Sequence, residues 1–523
     1  MNFEPSLTLI ESLKDPSVYS HPVSEIRILE THISWVILTG LFAYKIKKPV
    51  DLGFLDFSTL TLRYQACLEE LRLNRRIAPN LYLEVIAISG TPVTPRLAGD
   101  VEPFEYALKM RQFPIEATLD QALPKGQIQS RHIDNLAQDL AQFHSNLTSS
   151  PETAEFGNPE VIEDVVKDIV NRFSLETQTS ADRDVLQSLQ QWIQREHGRC
   201  YQTFATRKNQ GFIRECHGDL HLANVVLLND RPTPFDGIEF SEHLRWIDLM
   251  SDTAFFIMDL MAHGRSDFAW RFLVAYLEYT GDYEGMAVFR FYEVYRALVR
   301  AKIAKVRLNQ IPHQDDSIPL LEKEFHRYTS IAQTLAQPSP PSLIIMRGLS
   351  GSGKTTVSQT LLETMGAVRL RSDIERKRMF GIPPKDQSTK KIKEEMYSGN
   401  TGDTLHCQLR EIAQKILSSD YHVIVDATFL KRRHRDLFCR LADEQNVPFL
   451  ILDLQSSLTT LKDRVAYRAE QRSDASEADL AVLEQQQREE EPLGNDEQKV
   501  AVTINSEEPL DTKIVFRRLL KSR

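Results

Sequence analysis

Leu343-Ile-Ile-Met-Arg-Gly-Leu-Ser-Gly-Ser-Gly-Lys-Thr-Thr356 is an apolar run of strand length that passes straight into a glycine- and serine-rich turn and then a helical pattern. Gly348, Ser350, Gly351, Ser352, Gly353, Lys354 and Thr355 fit the spacing G-x-x-x-x-G-K-[ST], with the strand before and the helix after that this signature requires. Glycines let the backbone aim its N–H groups at a phosphate with no Cβ in the way, and a helix starting at Lys354 adds its positive dipole end. Lys354 is set to reach the β and γ phosphates and the Thr355 hydroxyl to ligate Mg²⁺, with Thr356 counted in the nucleotide-binding set. Around this loop, Ala367–Leu370, Val423–Val425 and Phe449–Leu452 are short apolar runs separated by helical stretches, the order of a parallel sheet with crossover helices.

A metal site in such a sheet calls for an acid at the end of a neighbouring apolar strand, and Tyr421-His-Val-Ile-Val-Asp426 supplies one, although Asp426 could instead cap the next helix. The second strand runs into Ser372-Asp373 and then Ile-Glu-Arg376, which puts a carboxylate and a guanidinium at the carboxyl edge of the sheet, where ligands bind. Arg464, Arg468 and Arg472 recur every fourth residue and share one helix face. The cluster Lys431-Arg-Arg-His-Arg435 can bind an acceptor's own phosphate or simply face solvent. Arg488-Glu-Glu-Glu-Pro492 reads as a solvated helix end.

The chain has 523 residues, enough for more than one core. Gln337-Pro-Ser-Pro-Pro-Ser342 forbids a continuous helix and marks the boundary, giving a domain at 1–335, a linker at 336–342 and a domain at 343–523. Residues 25–113 alternate strand-like runs with one helix at about 59–77, and residues 130–335 are mostly helical, broken by short apolar segments at 225–228 and 233–240. Ile33 to Tyr44 is too short to span a bilayer, and its Thr39-Gly40 centre reads as a hairpin turn. The start of the chain lacks a secretory pattern and the five cysteines are scattered, so a cytoplasmic protein is expected. A net charge of −10 argues against a protein that coats nucleic acid.

His217-Gly-Asp-Leu-His-Leu-Ala-Asn224 has the spacing H-x-D-x-x-x-x-N, in which Asp219 would accept a substrate hydroxyl proton and Asn224 would hold a metal ion. Twelve residues on, Pro-Phe-Asp236-Gly-Ile-Glu adds a second metal-binding acid. Phe42-Ala-Tyr-Lys45 aligns with the phosphate-binding lysine of V-A-I-K, with Glu70 or Glu69 as its helix partner, and Lys47 is a rival because it points the same way along a strand. No G-x-G-x-x-G stands between residues 25 and 40, which leaves the cover over a triphosphate undefined. By the resemblance to aminoglycoside phosphotransferases and choline kinases that these motifs carry, Tyr106–Phe113 would join the two lobes and offer backbone to adenine, and Asp252 would match a structural acid of that family.

The C-terminal segment resembles the AAA-type small P-loop kinases of the polynucleotide-kinase and zeta-toxin kind. That resemblance implies that Asp373 orients and deprotonates an acceptor hydroxyl, that Arg376 grips the acceptor, and that Arg468 belongs to a lid closing on the phosphates. HGDLHLANV followed by FDGIEF resembles the aminoglycoside phosphotransferases and choline kinases, over roughly residues 25–330. Together they resemble bacterial fusions of the two. The implied fold is an N-terminal α+β bilobal protein-kinase-like domain and a C-terminal α/β P-loop kinase with a parallel sheet. The implied activity is ATP- and Mg²⁺-dependent phosphoryl transfer to a small-molecule or nucleotide acceptor at one or both sites. The other reading makes the N-terminal domain a degenerate ligand sensor regulating the C-terminal one.

Overall fold

Along Ser34–Leu38 and Phe42–Lys47, side chains alternate between two apolar faces, and the two stretches pair antiparallel across Gly40, whose φ of +92° the tight turn requires. This is the expected hairpin. The computed structural model describes residues 4–521 apart from 54, 100, 152–153, 177–179, 312–314, 385, 397–398 and 472–475. β1 (Arg27–Glu30), β2 (Ser34–Leu38), β3 (Phe42–Lys47), β4 (Tyr82–Thr91), β5 (Thr94–Leu97) and β6 (Glu105–Arg111) form one antiparallel sheet in the order β1-β2-β3-β6-β4-β5. Trp35, Ile37, Tyr44 and Ile46 fill one face with Ile86 and Ile88. Ala43, Leu108 and Tyr82 lie on the other, and Lys45 and Lys47 share the Ala43 face by alternation.

Against that face runs the helix Leu60–Arg75, capped by the Thr59 hydroxyl accepting from the Leu62 N–H at 3.3 Å. Its buried residues, Arg63, Cys67, Glu70, Leu73 and Asn74, recur at three- and four-residue spacing, so Glu70 and Asn74 are carried inward with the apolar stripe. Further on, Val225–Leu228 and Arg231–Pro234 form a two-residue hairpin through Asn229 and Asp230, both at positive φ. A small antiparallel pair, Ile213–Glu215 with Trp246–Asp248, flanks this region without an obvious sequence signal.

Leu343–Arg347 is buried along its whole length, as a strand covered on both faces must be. It sits centrally in a five-stranded parallel sheet of order Ala367–Arg371, His422–Asp426, Leu343–Arg347, Phe449–Gln455, Ala501–Asn505. The proline-rich segment is not where the chain divides into compact units. One unit comprises Met1–Val161 and Ala205–Phe256, and the other Ile162–Phe204 and Ile257–Arg523. The reason lies in packing: Val274, in the helix Ser266–Thr280, belongs to the same apolar core as Ile344, Leu361 and Leu452. Among the described residues, no helix is long and apolar enough to cross a membrane.

Candidate active site

In the parallel-sheet unit, the phosphate loop leaves the strand Leu343–Arg347 and enters the helix Lys354–Met365. Gly351 and Gly353 hold φ of +85° and +84°, and a Cβ on Gly351 would meet the Leu461 carbonyl at 2.8 Å, so the loop conformation depends on glycine there. The Lys354 ammonium donates to the Gly348 and Leu349 carbonyls, each at 2.9 Å. Burial pushes its pKa below the ordinary lysine value, against the opposing pull of Asp426 and Asp373.

Asp426 lies at the end of the strand beside the loop. Its Oδ2 accepts from the Thr355 hydroxyl at 2.9 Å and the Ser358 hydroxyl at 3.2 Å. The capping alternative does not hold, because the next helix starts at Arg432 with Lys431 in the capping position. One cleft is lined by Ser350, Gly353, Thr356, Asp426, Asp373 and Arg376, among others. Asp373 stands in the first turn of the helix Ser372–Met379, and its Oδ1 accepts from Arg376 Nη1 at 2.9 Å.

Arg464 and Arg468 also line this cleft, Arg464 donating to the Gly351 carbonyl at 3.3 Å and Arg468 to the Ala478 carbonyl at 3.1 Å. Arg472 lies outside the described residues. The basic side chains of the 431–435 cluster are each matched to an acid: Lys431 with Glu489, Arg432 with Asp496, Arg433 and His434 with Asp403, and buried Arg435 with Glu497. They brace the domain. The acidic run is the end of the helix Leu480–Glu489 and is mostly exposed, as expected, while Glu490 also pairs with Arg347 at 2.7 Å and Glu491 accepts from the Arg432 N–H. Gln486, which no motif marks, accepts from the Ser350 N–H at 2.9 Å inside the cleft.

In the other unit, Lys45 Nζ lies 2.7 Å from Glu70 Oε1 and 2.6 Å from Asp236 Oδ1. Lys47 reaches the other Glu70 oxygen and also Glu239. Burial acting alone would raise the Glu70 carboxyl, but the two ammonium groups outweigh it and hold its pKa at about 2. Glu69 is turned instead to Arg72 and Arg245. Asp219 Oδ2 and its backbone carbonyl both accept from Asn224 Nδ2, at 2.9 and 3.0 Å. The hairpin after Asn224 returns the chain so that the Phe235 N–H bonds the Asn224 carbonyl at 2.9 Å, which closes the twelve-residue gap to Asp236.

Asp236 adopts φ +62°, its N–H donating to the Tyr82 hydroxyl at 2.9 Å, and the Gly237 N–H donates to Asn74 Oδ1 at 2.8 Å. The helix that carries Glu70 thus also fixes the Asp236 loop. Burial pushes the His217 pKa down. Its Nε2 meets the Phe235 carbonyl at 2.9 Å, and its Nδ1 accepts from the Asp219 N–H at 3.3 Å. Asp252 accepts from the N–H groups of His217 and Gly218, which anchors the loop. Phe113 packs edge-on against Phe235. β1 and β2 are joined by a glycine-free turn at 31–33, tied by the Thr31 N–H to the Ser34 carbonyl at 2.9 Å.

Asn74, Tyr82 and Glu239 escape sequence reasoning because each acts through a partner more than sixty residues away in the chain or through an offset of the D-x-x-E kind that no motif marks.

Residues 343–493 match the family model described as AAA domain. The uncharacterized protein Rv2004c of Mycobacterium tuberculosis is 27% identical over 472 residues, which cover 90% of this chain and 92% of that protein. Among solved structures, a gluconokinase from Sinorhizobium meliloti is 23% identical, covers 35% of this chain and 92% of its own, and has a TM-score of 0.24. A choline kinase from Cryptosporidium parvum is 11% identical, covers 64% of this chain and 96% of its own, and has a TM-score of 0.39. The chain thus joins a unit built on a six-stranded antiparallel sheet to a five-stranded parallel sheet, and the region of that parallel sheet from 343 to 493 is similar to the AAA domain.

Proposed function

We propose that the chain is a cytoplasmic ATP- and Mg²⁺-dependent phosphotransferase whose C-terminal domain transfers the γ-phosphoryl group of ATP to a hydroxyl of a small-molecule or nucleotide acceptor. The observation that carries this reading is a phosphate cradle and a separate carboxylate–guanidinium couple in one cleft: Lys354, Thr355 and Asp426 with Asp373 and Arg376. A plain nucleotide hydrolase has no use for the second couple. Thr355 and Asp426 offer the hard oxygen donors Mg²⁺ takes, and the ion, when bound, neutralises charge on the phosphates.

Asp373 takes the proton of the acceptor hydroxyl as that oxygen bonds to the γ phosphorus and the β–γ bridging P–O bond breaks, releasing ADP. Lys354, with Arg464 and Arg468, meets the charge on the transferring group, and Arg376 holds Asp373 and the acceptor. In the intact chain, screened against hydroxyl compounds with γ-labelled ATP, Asp373→Ala should cut transfer by about 10²–10⁴ and spare ATP affinity. Lys354→Ala should lose nucleotide turnover. If Asp373→Ala weakens ATP binding as much as Lys354→Ala does, Asp373 belongs to the nucleotide site and the acceptor role falls.

For residues 1–335 the same chemistry is proposed, with Asp219 as base, Asn224 and Asp236 as metal ligands, and Lys45 with Glu70 on the α and β phosphates. A specific observation favours a second reading: Lys45 is engaged by Asp236 and the turn joining β1 and β2 has no glycine. On that reading the N-terminal domain binds a ligand and regulates the C-terminal one.

A further inference from the structure

The helix Ser266–Thr280 precedes the proline-rich segment in sequence, yet it completes the core of the sheet that follows it. Val274 is buried among Ile344, Leu361 and Leu362. The Trp270 indole closes on Gly366, where a Cβ would meet its Nε1 at 2.7 Å. Arg271 pairs with Glu363 at 2.8 Å, and Arg378 donates to the Glu278 carbonyl at 2.6 Å. Docking of this kind needs only apolar contact, but the helix also delivers a charge. Glu278 Oε1 accepts from Arg369 Nη2 at 2.8 Å and Nε at 3.1 Å, with the two side chains only 12% and 6% exposed.

Arg369 in turn comes within 3.5 Å of the Thr355 carbonyl and of the Ser358 hydroxyl. Ser358 donates to Asp426 Oδ2, the oxygen that also accepts from Thr355. A continuous polar chain therefore runs from Glu278 through Arg369 and Ser358 to the two groups that would hold the metal.

We propose that Glu278 is a positioning residue for the metal-binding end of the phosphate loop, and that through it the helices ahead of the linker act on nucleotide turnover behind it. The inference rests on the phosphate-site reading given above. A buried guanidinium that loses its carboxylate is left uncompensated and is drawn toward a carboxylate within reach, and Asp426 stands one hydroxyl away from Arg369. Drawn to Arg369, Asp426 is lost to Mg²⁺, while the cradle of Gly351, Gly353 and Lys354 is untouched. The signature of Glu278 is thus metal dependence, which a merely structural role would not move.

The test is calorimetric ADP binding to the intact chain across a Mg²⁺ titration, in an Asp236→Asn background that silences the N-terminal metal site. E278Q should raise the half-saturating Mg²⁺ concentration about tenfold or more, with Mg²⁺-free ADP affinity unchanged. E278M/R369M, which removes both charges, should return to near wild-type Mg²⁺ dependence, and it keeps the test readable should E278Q fold poorly. Unchanged Mg²⁺ dependence in E278Q overturns the proposal, and so does a double variant as impaired as E278Q. If Lys354→Ala also leaves ADP binding intact, the phosphate-site reading itself is wrong and the proposal goes with it.

Discussion

Lys45 and Lys47 stand on one face of β3 and both reach Glu70, yet their surroundings set opposite consequences for losing them. The Lys47 side chain is fully buried between Glu70 and Glu239, which are 0% and 4% exposed. Lys47→Met leaves two buried carboxylates facing each other with Lys45 as the remaining nearby cation, and breaking a buried pair in this way costs about 3–5 kcal/mol. A domain holds only about 5–15 kcal/mol in total, and at roughly 2–4 °C per kcal/mol the melting temperature should fall by about 6–20 °C. Lys45→Met leaves Glu70 held by Lys47 and leaves Asp236, 43% exposed, free to hydrate. Its stability cost should be clearly smaller than that of Lys47→Met, because the buried Glu70 keeps one ammonium partner.

Nucleotide binding should rank the other way. On the proposed reading Lys45, beside Asp236, meets phosphate, and a lost hydrogen bond to a charged group is worth about 1.5–3 kcal/mol, or roughly 10–100-fold in ATP affinity. Thermal unfolding by circular dichroism and ATP·Mg²⁺ calorimetry, both on the intact chain carrying Lys354→Ala, read the two effects. A melting temperature that falls as far for Lys45→Met as for Lys47→Met, or unchanged ATP affinity in Lys45→Met, would refute the assignment.

Asp219→Asn should keep ATP·Mg²⁺ binding at the N-terminal site but abolish transfer, whereas Asp236→Asn should lose the metal-dependent part of binding. Absence of ATP binding by this domain at every Mg²⁺ concentration would instead select the sensor reading. His406 is buried, stacks on His434 at 3.7 Å and gives its Nδ1 to the Gly402 carbonyl. Burial, aided by His434, pushes its pKa from 6.5 to about 3. A folded-state value below the unfolded one means stability that is complete above about pH 6.5 and is lost progressively as pH falls toward 3, because the unfolded chain takes the proton first. His406→Phe should flatten that acid limb in urea unfolding measured between pH 7 and 4; an unchanged slope would show that other groups carry it.

The phosphate loop was legible in the sequence because its chemistry is local: the eight consecutive positions from Gly348 to Thr355 dictate a glycine-dependent turn, between a strand and a helix that their own periodicity announces. The hairpin at Gly40 and the spacing from Asp219 to Asn224 are local in the same sense. What the sequence left open was decided by partners distant along the chain. Lys45 and Lys47 are equivalent by strand alternation, and only the return of the 235–239 loop gives one of them Asp236 and the other Glu239. Asp426 could have been a cap until the strand register put Thr355 and Ser358 against it. The basic run at 431–435 offers free charge on paper, but each cation is neutralised by an acid at least thirty residues away. The linker prolines forbid helix at 338–341 but cannot say which core the preceding helices join. That choice belonged to Val274, Trp270 and Glu278, because burial and charge pairing act across space and leave no periodic trace in the chain.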